Sequence, residues 1–330
     1  MHIVTLGSGT GQATLLRGLR AYECQVTAIV AVTDNGGHSG QLRYALHIPQ
    51  VGDTRQCLGA LLDEASVWGK LLRHRFTAGE LRGLSVGNLM LAALADIDGS
   101  LCSAVEEIRR VAGIAQRVLP VSDGDTHIAA ELAGGQVIVG EWQIIQRQSP
   151  GAIVRLFLHP QVAAHPPVLE AIAAADLLVC CPGSLLTGML AVLLPTGMQD
   201  AIAASRARCV YVCNLMTQPG QTDGYTARQH LALVQQYLGR QADAVVLNNG
   251  PLPPTLLDVY AQHGSFPVRN DLTSSGVPLY LADLVEHPDA ETLRTYVRPQ
   301  AAGMQVGLHL IRHDAHKLAA QIMALVSAHD

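Results

Sequence analysis

Short apolar runs alternate with longer helical patterns along most of the chain. The runs are rich in Val, Ile and Leu and occupy residues 2–6, 25–33, 175–181, 208–213 and 244–247. Continuous apolar strands are typical of sheets buried on both faces. Helical spacing of apolar positions fills the intervals, as at 163–174 and 224–238. Strand, helix and strand at this spacing predict an α/β fold with a doubly wound, mostly parallel sheet.

One section departs from this alternation. Residues 126–145 read as a β-hairpin, with an Ala-Gly-Gly turn at 133–135 and a returning strand that runs through Trp142. We therefore predict a small antiparallel excursion over residues 126–160. No linker or repeat interrupts the pattern, so we expect the excursion to lie within a single domain of residues 1–330.

Composition excludes several classes of protein. The chain is 49% hydrophobic and 15% charged, which suits a large buried core and argues against disorder. Its net charge is −5 and its basic residues are scattered, so we expect no nucleic-acid partner. We recognise neither a signal peptide nor a membrane-spanning run, and expect a cytoplasmic protein with no membrane partner. The seven cysteines fit no disulfide or zinc pattern and are expected to be reduced thiols.

Polar clusters follow each predicted strand. They contain glycine, hydroxyl or amide residues and occupy 7–11, 33–40, 182–184, 214–220 and 248–250. Turns alone favour such residues. Because ligands of open α/β sheets bind outside the carboxyl ends of the strands, five clusters at one edge indicate a polar pocket. The expected ligand is a phosphorylated or nucleotide-bearing small molecule.

The first cluster leads directly into a helix. Residues 7–11, GSGTG, turn tightly, so free backbone N–H groups and the helix dipole favour a phosphate there. A tight turn without a ligand is the alternative. The spacing differs from the dinucleotide G-x-G-x-x-G and lacks the lysine of a P-loop. It therefore argues against a nicotinamide-dependent oxidoreductase, which we keep as a third hypothesis.

The next clusters contribute charged and amide side chains. Residues 34–40, DNGGHSG, read as a long flexible glycine loop. Asp34 can bind a divalent ion, accept a ribose hydroxyl or act as a base, and a helix cap is the alternative. Asp53 and Arg55 form an ion pair or a helix start, or else a metal ligand beside a phosphate clamp. Asn88 either points at the pocket or satisfies a helix N-terminus. Any bound metal would be a hard ion on oxygen ligands, such as Mg²⁺.

In this order the motifs resemble the YvcK-type gluconeogenesis factors, which are related to the 2-phospho-L-lactate transferase (CofD-like) proteins. The resemblance covers nearly the whole chain. It is carried by GSGTG from 7, AVTDNGGHSGQLR from 31, VGDTRQCL from 51, VGNLMLAAL from 86, CPGSLLTG from 181, VCNLMTQPGQTDGY from 212 and NNGPLP from 248. It implies a Rossmann-like fold, a cytoplasmic location and a ligand between the glycine loops.

The resemblance also implies two functions. YvcK-type proteins bind UDP-sugars, are linked to carbon flux and cell-wall or cell-shape control, and have no established reaction. The transferase branch moves a phospholactyl-type group from a nucleotide diphosphate donor to a deazaflavin alcohol with Mg²⁺. The motifs from 212 and 248 favour the first branch, so we expect a UDP-sugar-binding regulator, with the transferase as the alternative. A homodimer is compatible with the size of the chain.

The chain departs from the family pattern at a few positions. The family often has two acids where this chain has Asp34 and Asn35, and the loss of one carboxylate weakens a two-acid metal site. Gln56 replaces an expected Asn, Cys181 an expected Gly, and Leu186 a common aromatic. These changes leave the loops intact and bear on which ligand they hold.

The resemblance implies roles for individual residues. Gly9, Thr10 and Gly11 are expected to cradle phosphate, with Asp53 and Arg55 flanking the centre. The side chains and glycines expected to line and close the pocket are Asp34, Asn35, Gly36, Gly37, Ser39, Ser184, Asn214, Thr217 and Gln218. In a transferase, Asp34 and Asp53 would hold Mg²⁺.

Two further candidates rest on chemistry alone. Tyr260 can stack on a uracil ring, or can be a residue at the edge of the core. Arg312 can meet a diphosphate, or can form a surface ion pair.

Overall fold

A computed structural model describes residues 1–147, 151–272, 276–287 and 310–327. Its strands, in chain order, are β1 (His2–Gly7), β2 (Gln25–Val30), β3 (Arg117–Pro120), β4 (His127–Leu132), β5 (Val137–Val139), β6 (Ile153–His159), β7 (Leu177–Cys180), β8 (Arg208–Val212), β9 (Ala244–Asn248) and β10 (Leu279–Ala282). Five of them coincide with the apolar runs predicted from the sequence, to within a few residues at each end.

Helices separate these strands. They are α1 (Gly9–Leu19), α2 (Gly37–Leu46), α3 (Gly52–Ala60), α4 (Val67–Arg73), α5 (Val86–Asp98), α6 (Leu101–Val111), α7 (Glu141–Ile145), α8 (Pro166–Ala173), α9 (Met198–Ala204), α10 (Ala227–Leu238), α11 (Pro254–Gln262) and α12 (Ala315–Ser327). A π-helical turn at Leu185–Leu190 follows β7 and continues into a 3₁₀ turn at Ala191–Leu193.

Seven strands form one sheet in the order β10-β9-β8-β7-β1-β2-β3. Every neighbouring pair in it is parallel. Helices flank the sheet, and the central strands are buried throughout. The predicted α/β fold with a doubly wound parallel sheet is confirmed. The strand order reverses between β1 and β7, where folds of this kind open a crevice for a ligand.

The predicted antiparallel excursion is a three-stranded sheet in the order β5-β4-β6. Its turn lies where the glycines predicted it, and Gly135 takes a left-handed φ of +80° there. The returning strand was predicted too long. It ends at Val139, because Gly140 adopts a φ of +106° and α7 begins at Glu141. The third strand, β6, was not predicted within the excursion.

Two strands of the main sheet were also missed. β3 and β10 have four residues each and occupy the two edges. A short edge strand carries a weak apolar signal, and β3 tolerates Pro120 because an edge position does not need every N–H group. In the loop after β2, helix α2 already begins at Gly37, so the predicted long flexible loop is shorter than expected.

All seven cysteines are free thiols, as predicted, and all except Cys24 are buried. Among the described helices, none combines the length and the apolar character that crossing a bilayer requires.

Candidate functional site

The loops after β1 and β7 pack directly on each other at the reversal of strand order. A Cβ atom at Gly11 would lie only 1.9 Å from the carbonyl oxygen of Pro182, so no larger residue fits there. Gly9 enters helix α1 with a left-handed φ of +58°. Ser8 occupies the N-cap without a side-chain hydrogen bond, so the helix start lacks a side-chain cap. This arrangement suits an anion at the N-terminus of α1.

Two predicted acids lie close together beside this loop. Gln50 joins them, since its amide nitrogen donates to Asp34 Oδ2 at 3.1 Å and its amide oxygen accepts the Asp53 N–H at 3.2 Å. Asp34 Oδ1 also accepts the N–H of Gly36 at 2.7 Å. Gln50 is 1% exposed, so its side chain is a fixed brace between the two acids. No sequence pattern had pointed to this role.

A third acid, Glu141, faces the same space and was missed by sequence reasoning. It is the first residue of α7 in the excursion, and it lies 2.7 Å from the Thr187 hydroxyl in the π-helical turn. Asn35 fixes the start of α7 by accepting the Trp142 N–H at 3.0 Å and donating to Gln143 at 3.0 Å. The available signal was Gly140 followed by an acid, where a strand gives way to a helix start.

Burial raises the pKa values of all three acids, and neighbouring carboxylates add to the shift at Asp53 and Glu141. Burial, and then the charge of Asp34, raise the pKa of Asp53 to about 7, although Arg55 and a Gly9 hydrogen bond oppose the shift. Burial likewise raises the pKa of Asp34. Burial and the charges of Asp34 and Asp53 raise the pKa of Glu141 well above its usual value. Such a group of carboxylates favours either bound protons or a bound cation.

The hydrogen bonds around Glu141 form a chain that a proton on Glu141 would complete. The hydroxyls of Thr187 and Ser184 lie 2.6 Å apart, and Ser184 lies 2.9 Å from the Gln221 amide oxygen, which also accepts the Leu186 N–H. If Glu141 is ionised, Thr187 donates to it, and Ser184 has one proton for two acceptors. A protonated Glu141 lets each hydroxyl donate once along the chain.

Arg55 is a buried cation next to these acids. It is 8% exposed, and its Nε donates to the Asn88 amide oxygen at 3.0 Å, while Asn88 donates to Ser39 at 2.8 Å. Within the described residues no carboxylate forms an ion pair with Arg55. Burial is the main cause that lowers its pKa, to about 10, so it stays positively charged at neutral pH. A buried guanidinium without a carboxylate partner suits a bound anion.

The loops after β7 and β8 are held by predicted site residues. Asn214 donates to the Gly183 carbonyl at 2.7 Å and accepts the Gly183 N–H at 3.3 Å. The Gln218 amide oxygen accepts the Leu185 N–H at 3.2 Å, at the start of the π-helical turn. These side chains therefore shape the loops around the crevice through the backbone.

Three predicted residues lie apart from this cluster. Thr217 uses its hydroxyl to accept the N–H of Phe266 at 2.9 Å. Tyr260 is 2% exposed within a separate hydrophobic cluster, so its ring has no open face for a uracil in this conformation. Its hydroxyl accepts the N–H groups of Leu310 and Ile311, both at 2.9 Å.

Arg312 follows that segment directly and pairs with Glu286 on the surface. Tyr260 thus positions the segment that carries Arg312, and a contact between Arg312 and a diphosphate remains a prediction.

The acids fit a hard divalent cation. All three supply carboxylate oxygens, the ligand type that Mg²⁺ prefers. In the described chain their oxygens do not converge to within 4.8 Å of one another as a set. One or two of them, most directly Asp34 and Asp53, would therefore hold Mg²⁺ together with phosphate oxygens and water.

Comparisons with known proteins agree with this architecture. The family described as 2-phospho-L-lactate transferase CofD matches residues 3–285. A gluconeogenesis factor of Bacillus subtilis is 35% identical over 330 residues, covering 98% of each protein. One of Halalkalibacterium halodurans is 40% identical over 275 residues, 82% of this chain and 84% of the relative. A solved structure of a UPF0052-family protein from Bacillus halodurans has a TM-score of 0.87 and 36% identity, over 98% of this chain and 99% of the other.

Proposed function

This chain belongs to the CofD family, among its gluconeogenesis-factor members, and from that premise we propose that it is a regulatory protein that binds a UDP-sugar. The observation that carries the proposal is the buried guanidinium of Arg55, which forms no ion pair with a carboxylate among the described residues, near Asp53, which accepts a hydrogen bond from Gly9 of the glycine loop. A phosphate group supplies the missing negative charge.

The three buried acids require that positive charge accompany a bound phosphate. Asp34, Asp53 and Glu141 repel one another when ionised, and a phosphate ligand adds further negative charge. A divalent cation offsets both, since it binds carboxylate and phosphate oxygens together. The proposed ligand is therefore a diphosphate that binds with Mg²⁺ or, below neutral pH, with protons on the acids.

Two observations favour binding without turnover. Asn35 stands where the family often has a second acid, and its side chain is committed to helix α7 through Trp142 and Gln143. Relatives that match over 84–98% of their length are named gluconeogenesis factors, a name that denotes a role in carbon metabolism. On this proposal the protein senses a nucleotide-sugar and acts in carbon metabolism and in control of the cell wall and cell shape.

One observation favours a second function. Glu141 restores a carboxylate near the position where Asn35 replaces one, and it faces Asp34 and Asp53. With Mg²⁺ on Asp34 and Asp53, the site would stabilise charge on a departing nucleotide during transfer of a phospholactyl-type group. The name of the matching family gives this alternative its substrate class.

Calorimetric titration distinguishes the UDP-sugar-binding regulator from the transferase. The purified protein is titrated with UDP-N-acetylglucosamine, UDP-glucose and GDP, each with and without Mg²⁺. Binding of a UDP-sugar without product formation supports the regulator. Binding of GDP alone, and only with Mg²⁺, supports the transferase. If no uridine nucleotide binds, the proposal of a UDP-sugar-binding regulator is wrong.

A further inference from the structure

Three metal-binding side chains meet near the carboxyl end of β3, outside the site described above. They are the thiol of Cys102, the carboxylate of Asp123 and the imidazole of His165, and one ligand atom from each lies within 4.8 Å of the others. Across the residues that the structure describes, this is the one group of His, Cys, Asp and Glu side chains that converges so closely.

The surrounding backbone fixes the three residues in place. Cys102 is the second residue of α6, and its N–H donates to Asp123 Oδ1 at 2.8 Å. The hydroxyl of Ser100 donates to Asp123 Oδ2 at 2.8 Å. His165 precedes α8, and its N–H donates to the Val121 carbonyl at 2.8 Å. Three chain segments are thus joined before any ligand binds.

The three ligand groups differ in how far other contacts already engage them. The half-buried ring of His165 has no hydrogen-bond or ion-pair partner in the described part of the chain. The thiol of Cys102 lies 3.8 Å from the Pro120 carbonyl and also interacts with the Asp123 carboxylate, which raises its pKa. The carboxylate of Asp123 is exposed, and each of its oxygens accepts a single bond. The thiol and the carboxylate therefore already interact, and the ring of His165 faces them without a partner in the described part of the chain.

A cysteine, a histidine and an acid also suit nucleophilic catalysis, but the thiol here is not activated. Burial, and then the charge of Asp123, raise the pKa of Cys102 well above its usual value. A reactive cysteine needs the opposite shift. A bound metal cation changes this balance, because it takes the thiol as thiolate and releases its proton.

We propose that Cys102, Asp123 and His165 form a binding site for a divalent transition metal, with Zn²⁺ as the best match. Sulfur and nitrogen donors select Zn²⁺ over Mg²⁺, which prefers oxygen ligands only. Three protein ligands leave the fourth tetrahedral position to water. The metal would tie the starts of α6 and α8 to the loop after β3.

Cobalt provides a direct test, because Co²⁺ substitutes for Zn²⁺ and absorbs in the near ultraviolet when a thiolate binds it. The full-length protein is titrated with Co²⁺ and then with Zn²⁺. We expect one equivalent of Co²⁺ to produce the thiolate band, Zn²⁺ to abolish it, and millimolar Mg²⁺ to leave it unchanged. Cys102→Ser should lose the band, and His165→Gln should weaken Co²⁺ binding by about tenfold or more.

Two further comparisons test whether the thiolate band comes from Cys102. Cys24→Ser removes a half-exposed thiol outside the cluster and should keep the band. If Cys102→Ser fails to fold by circular dichroism, His165→Gln decides, because that ring has no partner among the described residues whose loss would unfold the protein. Absence of the band in the wild-type protein, its survival in folded Cys102→Ser, or an unchanged Co²⁺ affinity in His165→Gln overturns the proposal.

Discussion

Glu141 and Thr187 are joined by a 2.7 Å hydrogen bond, although 46 positions separate them in the chain. The bond connects the antiparallel excursion to the π-helical turn after β7. It holds the carboxyl group of Glu141 toward Asp34 and Asp53, so acids from three distant segments share one electrostatic field.

Glu141→Gln should keep the fold and change the proton balance of ligand binding. A glutamine amide can donate to Thr187 as a protonated acid would, so stability should be unchanged or higher. Binding of UDP-N-acetylglucosamine with Mg²⁺ near pH 7 should release fewer protons than in the wild type. Calorimetry in two buffers of different ionisation enthalpy counts them. Glu23→Gln, at an exposed acid, is the control, and an unchanged proton count in Glu141→Gln would contradict the assignment.

Asp53 should make the protein less stable as the pH rises toward 7. Its pKa is about 7 in the folded state, against 3.8 in the unfolded chain, so the folded state holds the extra proton between these values. The free energy of unfolding therefore falls as the pH rises through this window and levels off above it. The fall is at most a few kcal/mol, since each pKa unit is worth about 1.4 kcal/mol.

Asp53→Asn should remove the part of this pH dependence that Asp53 contributes and be more stable than the wild type at about pH 8. It should also lose the stabilisation that Mg²⁺ gives the wild type. Urea unfolding at about pH 5 and pH 8, with and without Mg²⁺, measures both effects. Asp96→Asn, at an exposed acid on α5, should behave like the wild type. Equal pH profiles for Asp53→Asn and Asp96→Asn would refute the coupling.

Arg55→Lys should weaken nucleotide binding while the charge is kept. A lysine cannot reproduce the guanidinium fork that contacts Asn88 and still presents nitrogens to a phosphate. The loss of a charged hydrogen bond predicts about 1.5–3 kcal/mol of binding free energy, or roughly tenfold to a hundredfold in affinity. Titration with UDP-N-acetylglucosamine measures it. Arg82→Lys, on an exposed loop, is the control, and equal affinities in the two variants would argue against a role for Arg55.

Asn35→Ala should destabilise the protein by about 1 kcal/mol, because the start of α7 loses its side-chain acceptor. Asn35→Asp keeps an acceptor for the Trp142 N–H and should cost less. It also adds a negative charge near Asp34, so Mg²⁺ should stabilise this variant more than it stabilises the wild type. Thermal unfolding with a Mg²⁺ series compares the three proteins, and identical destabilisation by Ala and Asp would show that Asn35 does not hold α7.

Tyr260→Phe should destabilise the segment of Leu310 and Ile311 that leads to Arg312. It removes the acceptor for the Leu310 and Ile311 N–H groups, at a cost of about 1–3 kcal/mol for buried donors left unpaired. Tyr237→Phe is a matched control, since Tyr237 accepts one backbone N–H, from Leu156. If Arg312 contacts the diphosphate, only Tyr260→Phe should also weaken UDP binding. If the two variants change UDP binding equally, Tyr260 has only a packing role.

The sequence predicted the sheet well because its signal is local. Buried parallel strands such as β7 and β9 are continuous apolar runs, and a glycine or amide cluster follows each one. The edge strands β3 and β10 were missed because four residues at an edge need neither full burial nor a complete set of hydrogen bonds.

The site was predicted less completely because its geometry depends on distant pairings. The glycine loops and Asp34 could be found from their positions after strands, and Asp53 from its place beside Arg55 at a helix start. Glu141 could not, because it was read as part of a hairpin strand that in fact ends at Val139. Gln50, which braces the two aspartates, lies in a segment with no motif of its own and is recognisable only from its contacts.

The excursion between β3 and β7 also divides the site into two parts of different origin. The phosphate loop, Asp53 and Arg55 belong to the parallel sheet and its helices, whereas Glu141 and Trp142 arrive on an inserted unit held by Asn35 and Thr187. If the chain binds a diphosphate as we propose, substitutions in this inserted unit would change which group attached to the diphosphate is accepted, while the loop that holds the diphosphate would be unaffected.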